Sequence, residues 1–229
     1  MDRRIATIIR ILEKEAARLR LPSVSAVARE DHDPFLVLVS CILSLRTRDT
    51  VSAEASRRLF AKARTPSGIA AMGRAELERV IHSVNFYRNK AAAIHEAARR
   101  ITTEFAGRVP DTREGLLSLR GVGRKTANLV LGLGFGIPAI CVDTHVHRIS
   151  NRLGWVKTST PEETEKALER ILPRARWIRI NELLVAFGQN ICDPRRPDCG
   201  HCPIRPYCPF PAKKILPPSE AYVTIGVSS

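Results

Sequence analysis

Four cysteines crowd the last third of this 229-residue chain. Cys192, Cys199, Cys202 and Cys208 follow the spacing C-x6-C-x2-C-x5-C, in a protein with six cysteines altogether. Thiolates gathered by so short a loop hold either a tetrahedral zinc ion or an iron–sulfur cube, so the loop has to close on one centre. Structural zinc sites pair their ligands as two close knuckles, whereas only Cys199 and Cys202 are close here. That asymmetry favours a [4Fe–4S] cluster. His201, between two of the thiols, keeps a mixed Cys/His zinc site open. No secretory segment is expected at the start, which makes a disulfide framework the weaker reading. Cys41 and Cys141 lie in apolar runs and read as buried free thiols.

Charge points to the partner. Lys and Arg number 37 against 23 Asp and Glu, a net charge of +14. Such a surplus repels itself and suits a chain that meets a polyanion, with nucleic acid first and a membrane surface second. The opening Met1-Asp2-Arg3-Arg4-Ile5 could pass for a basic transit peptide, but Asp2, Glu13 and Glu15 argue against import. Ile5, Ile8, Ile9, Leu12, Ala16 and Leu19 recur at helical spacing and predict a helix that docks on a core. The longest uncharged stretch, 126–142, is broken by Gly132, Gly134, Gly136 and Pro138 and falls short of the roughly 18–20 residues of a membrane span. A soluble protein, monomeric by default, is expected.

Periodicity is helical almost throughout, and clean alternation is nearly absent. The expectation is an all-α protein of roughly ten helices. Asp33-Pro34 sets a capping residue before a first-turn proline, Asp111 precedes Glu114 at capping-box spacing, and Thr160-Pro161-Glu162-Glu163 has the same form. The segments around Cys192–Pro211 and after Leu216 read as loops.

A second motif lies mid-chain, at Leu119-Arg120-Gly121-Val122-Gly123-Arg124-Lys125-Thr126-Ala127. One helical turn runs into Gly-Val-Gly and out into another helix, so Gly121 and Gly123 permit a tight turn whose following backbone N–H groups face a phosphate. This is a helix–hairpin–helix, and Arg120, Arg124 and Lys125 strengthen the phosphate reading. No strand precedes it, which excludes a dinucleotide-binding turn. Taken alone, Lys125 is a phosphate contact. Eighteen residues on, Val142-Asp143-Thr144-His145-Val146-His147-Arg148 drops Asp143 at a helix start, where it reads first as an N-cap. His145 and His147 form an H-x-H, but no carboxylate pattern completes a metal site.

The order LRGVGRKTA, VDTHVHR, C-x6-C-x2-C-x5-C resembles the endonuclease III branch of the helix–hairpin–helix DNA glycosylases. The resemblance runs from about Arg4 to about Phe210. It implies two helical domains with an active-site cleft between them: a six-helix barrel domain with the hairpin over 23–136, and an iron–sulfur domain combining 1–22 with 137–213, followed by a tail, 214–229. It implies a [4Fe–4S] cluster on the four cysteines, and catalytic roles for Lys125 on the barrel side and Asp143 on the cluster side. The expected activity is a base excision repair glycosylase with AP lyase activity on oxidised pyrimidines in double-stranded DNA. The base is flipped into the cleft, a neutral Lys125 attacks the sugar, a Schiff base forms, and β-elimination nicks the strand. Damaged bases and abasic sites in duplex DNA are the partners, no membrane is involved, and the expected location is the cytoplasm of a prokaryote, at the nucleoid.

The flanks depart from the family pattern. A glutamine usually stands in the segment matching Ser44-Leu45-Arg46-Thr47-Arg48-Asp49, where this chain has Arg46, and the usual leucine wedge is Phe86. Arg46 fills the gap left by the flipped nucleotide and Phe86 intercalates, against the plainer reading of a surface cation and a core aromatic. Arg120 replaces the hairpin's usual proline and adds a phosphate contact. Arg195 and Arg196, on a loop pinned at both ends by thiols, read either as phosphate contacts or as part of a solvated basic loop, and the resemblance implies that His145 lies near the cleft as a structural or DNA-facing residue. Three alternatives remain: an adenine mismatch glycosylase, which normally lacks the lysine and carries a further domain; a thymine or uracil mismatch glycosylase, which also usually lacks the lysine; and a non-catalytic DNA-binding module.

Overall fold

A computed structural model describes residues 1–19 and 22–211. The tail from 214 and the last two positions of the segment 137–213 lie outside the described residues, as do Arg20 and Leu21. The described chain is helical with no strand.

Helix α1, Arg3–Ala16, begins where the Asp2 carboxylate accepts from the Arg4 N–H, and it buries Ile5, Ile8, Ile9, Leu12 and Ala16. That is the stripe read from the sequence, except that Leu19 falls beyond the helix end and is half-buried. Helices α2 (Ser23–Asp31), α3 (Pro34–Ser44), α4 (Asp49–Phe60), α5 (Pro66–Ala71), α6 (Arg74–Ile81) and α7 (Tyr87–Glu104) follow. Asp33 caps α3 by accepting from the N–H groups of Phe35 and Leu36. Every residue of α3 from Phe35 to Leu43 is buried, because a helix apolar on all sides is stable only when surrounded.

Helices α8 (Arg113–Leu117), α9 (Arg124–Leu129), α10 (Thr144–Arg152), α11 (Pro161–Ile171) and α12 (Trp177–Asn190) complete the set, and α9 continues directly into a π turn at Val130–Gly134. Twelve α-helices among the described residues exceed the roughly ten expected from periodicity. The excess is explained by α5, α8 and α9, which are too short to show a periodic stripe. Two caps differ in detail. Thr112, not Asp111, caps α8, its extended backbone letting Oγ1 accept from Gly115 N–H at 3.2 Å. Thr160 caps α11 as expected, but Glu163 returns its bond to Ser159 N–H, one residue before the cap.

Two aliphatic clusters organise these helices. The larger gathers buried side chains from Val24 to Ala139. The smaller joins α1 to residues from Ile140 to Ile204, with α1 packed on α12. The changeover in packing falls between Ala139 and Ile140, just beyond the π turn. Among the described residues no helix is long and apolar enough to cross a membrane.

Candidate active site

The Gly-Val-Gly hairpin joins α8 to α9. Gly121 takes φ +80°, which favours glycine, and a Cβ there would sit 3.0 Å from the Ala93 methyl of α7. Val122 is buried and pins the turn, while Arg120, Gly121 and Gly123 are exposed. Gly123 is the N-cap of α9 and supplies no side-chain acceptor, so the first N–H groups of that helix are left for an anion.

Lys125 lies in the first turn of α9, exposed, and lines a cavity of about 290 Å³ together with Asp143. Lys125 belongs to a helix of the larger cluster and Asp143 to the helix start of the smaller one, so the two approach from different cores. Asp143 is also an N-cap: its Oδ1 accepts from His145 and Val146 N–H, both at 2.9 Å. The bland reading of Asp143 is therefore correct and compatible with the chemical one, since two backbone donors fix the carboxylate without burying it. Asn128, on the cavity wall, donates to the Ile140 carbonyl at 2.8 Å and ties α9 to the strand of chain entering the smaller core. A larger open depression of about 790 Å³ contains neither Lys125 nor Asp143, and its Arg64 is paired with Asp31.

Glu165 of α11 also lines the cavity and escaped the sequence reading. Its buried carboxylate accepts from Arg124 Nε and Nη2 at 3.2 and 3.1 Å and from Arg113 Nη2 at 3.4 Å, bridging the two cores beside Lys125. Arg124 is thus held by a carboxylate, which raises its pKa further.

Arg46 and Phe86 occupy two turns that face each other. Both residues are left-handed, at φ +51° and +57°, which is costly for side chains of their size. Arg46 is exposed and Phe86 is 59% exposed, so Phe86 is not a core aromatic. The Asn85 amide donates to the Arg46 carbonyl, and Asn85 N–H donates to Thr47 Oγ1 at 3.2 Å. Lys90 of α7 is buried beneath them and donates to the Leu43 carbonyl at 2.7 Å and to Thr47 Oγ1 at 2.8 Å. Burial pushes its ammonium down to about 8.

All four loop cysteines line one small cavity with Ile149, Leu153, Phe187, Ile191 and Phe210. Among the described residues no three His, Cys, Asp or Glu side chains converge as a single metal ion would need. His201 is exposed and bonds to Asp198, and it does not line the cavity. Burial pushes the Cys202 thiol up to about 11 and raises that of Cys199, so a cation is needed to hold them as thiolates. Arg152 closes one side: it donates to Cys192 Sγ at 3.2 Å and to the carbonyls of Asp193 and Pro194, and it covers the Phe210 ring at 4.6 Å. Asp193 accepts from the N–H groups of Arg195 and Arg196, whose side chains remain exposed.

The H-x-H does not converge on a metal. His147 Nδ1 meets Thr164 Oγ1 at 2.7 Å, whereas His145 Nδ1 accepts from Arg148 at 3.1 Å beside Asp143. Burial lowers the His145 pKa, opposed by Asp143. Cys41 and Cys141 are buried free thiols, with Cys41 pushed up to about 12 by burial.

Residues 39–174 match the HhH-GPD superfamily base excision DNA repair protein family. Endonuclease III of Thermotoga maritima is 51% identical over 181 residues, 79% of this chain and 85% of that one. Endonuclease III homolog 2, chloroplastic, of Arabidopsis thaliana is 44% identical over 79% of this chain, which spans 49% of that longer protein. Among solved structures, a non-covalent endonuclease III–DNA complex matches at 34% identity with a TM-score of 0.79, covering 91% of this chain and 96% of that one. A trapped endonuclease III–DNA covalent intermediate matches at 34% identity and a TM-score of 0.75, covering 91% and 97%. With the hairpin, the lysine–aspartate cavity and the four gathered thiols on one helical scaffold, the chain belongs to the HhH-GPD superfamily of base excision DNA repair proteins, in its endonuclease III branch.

Proposed function

We propose that this base excision repair enzyme is a bifunctional DNA glycosylase and AP lyase acting on oxidised pyrimidines, with Lys125 as nucleophile and Asp143 as the charge-stabilising carboxylate. The observation that carries the reading is that these two side chains, 18 positions apart on helices of different cores, line one cavity. A base inside a duplex is out of reach, so the nucleotide is turned out into that cavity. Breaking the N-glycosidic bond leaves its electron pair on the departing base and positive charge on the sugar, which the Asp143 carboxylate offsets. The Lys125 amine, once neutral, bonds to C1′ and gives an imine after the ring oxygen opens. Loss of a C2′ proton then expels the 3′ phosphate and nicks the strand.

DNA is held by phosphate contacts from the hairpin N–H groups at Gly121 and Gly123 and from the side chains of Arg120, Arg124, His145, Arg195 and Arg196. Arg46 fills the vacated position and Phe86 wedges the stack. A barrel domain over 23–136 and a cluster domain over 1–22 and 137–213 make up the chain in this reading; the two hydrophobic clusters support such a division, with Ile137 and Ala139 packed on the larger one. The four cysteines suit a [4Fe–4S] cluster better than zinc, because only Cys199 and Cys202 stand close in sequence while all four line a common apolar space. When bound, that group serves as a structural anchor for the basic loop, in a protein that works on DNA in the cytoplasm.

Borohydride reduction tests the assignment. The wild-type protein is expected to form a covalent adduct with a duplex carrying an oxidised pyrimidine. Lys125→Ala is expected to lower trapping by about 10³-fold or more. Undiminished trapping by the alanine variant removes Lys125 from the reaction.

A further inference from the structure

The turns carrying Arg46 and Phe86 come from separate parts of the chain, one after α3 and one before α7, yet one polar chain rooted on the buried Lys90 joins them. Lys90 Nζ donates to the Leu43 carbonyl and to Thr47 Oγ1. Thr47 Oγ1 also accepts from Asn85 N–H and donates to the Leu45 carbonyl at 3.3 Å. The Asn85 side chain closes the circuit on the Arg46 carbonyl, and Asn85 immediately precedes Phe86. Lys90 is 6% exposed, and among the described residues no carboxylate pairs with it. An aliphatic side chain would fill that space at no electrostatic cost, so what the lysine adds is its donors. Its bond to Leu43 serves the end of α3, but its bond to Thr47 and the onward link to Asn85 serve neither helix. They fix two left-handed turns that relax if released.

We infer that Lys90, Thr47 and Asn85 are positioning residues that lock Arg46 and Phe86 into a single two-pronged wedge, so that both prongs enter the duplex together when a base is turned out. The inference rests on the role given to Arg46 and Phe86 above. A wedge of two independent prongs would let one enter without the other. A locked one converts two insertion events into one.

The test is a stopped-flow measurement on a duplex carrying 2-aminopurine beside an oxidised pyrimidine, with single-turnover excision run in parallel. Thr47→Val removes the shared hydroxyl but keeps the Lys90–Leu43 bond. It is expected to slow both the fluorescence rise and excision by about tenfold or more, mainly in kcat rather than KM. Thr47→Ser, which restores the hydroxyl, is expected to recover most of the loss. Lys90→Met and Asn85→Ala should match Thr47→Val, and if Lys90→Met fails to fold the other two decide. Combined with Phe86→Ala, Thr47→Val should add little, since a broken wedge is broken once. Fully additive effects, or a Thr47→Val protein equal to wild type while Phe86→Ala is defective, overturn the inference. A Phe86→Ala protein equal to wild type instead overturns the role of the wedge itself.

Discussion

The larger core closes on itself and encloses its aromatics Phe35 and Phe60 and its thiol Cys41, whereas the smaller one is finished at its edge by three partly buried thiols. Around α3 the packing is continuous from Phe35 to Leu43. The smaller core borrows α1 from the far end of the chain and has Cys192, Cys202 and Cys208 packed on its rim beside Ile191 and Ile204. One region is stabilised by burial; the other, on the proposed cluster-binding role of its cysteines, also draws stability from the group they hold. The proposed catalytic pair, Lys125 and Asp143, straddles this divide.

Removing the metal breaks the comparison most sharply. On chelation or in Cys202→Ser, amide exchange in α10 and α12 should accelerate by about 100-fold or more while α3 and α7 change by less than about tenfold. Equal loosening of both cores would show that the division is only geometric. Next comes the carboxylate. Asp143→Asn keeps a good cap and should lower excision by about 10²–10³-fold with little change in melting temperature, whereas Asp143→Ala should also lose about 1 kcal/mol of stability. Glu165→Gln weakens the bridge from α11 to Arg113 and Arg124, and should cost about 1–3 kcal/mol of unfolding free energy, read by urea titration.

The smallest effect lies within the larger core. Lys90 has its folded-state pKa lowered from 10.5 to about 8, so between those values the native state binds fewer protons than the unfolded chain. Stability from this group rises with pH across that window, and the full cost of the buried charge is present below it. Wild type should gain about 2 kcal/mol relative to Lys90→Met from pH 8 to 10.5.

Local signals were legible. The Asp33-Pro34 cap, the α1 stripe, the glycine hairpin and the cysteine loop are each written in a few adjacent residues, and each forms where read. Resemblance added the pairing of Lys125 with Asp143, which spacing left as a phosphate contact and a cap. What escaped depends on partners distant in sequence. Lys90 meets Thr47 43 positions away, and Glu165 meets Arg124 41 positions away, so neither bears a local mark. His201 looked like a ligand because it sits between two thiols, but its ring turns outward to Asp198. Asp111 and Thr112 are adjacent and both able to cap, and only the backbone angles choose between them.

Gly188 of α12 carries one more consequence. A methyl at that position would overlap His145 and crowd the Arg148 guanidinium. The neighbouring helix α10 therefore rests directly on bare main chain, and the height at which it rests sets where its first residue, and the acid before it, meet the groove. A hydrogen in place of a carbon there acts as the shim that sets α10 at its height over α12.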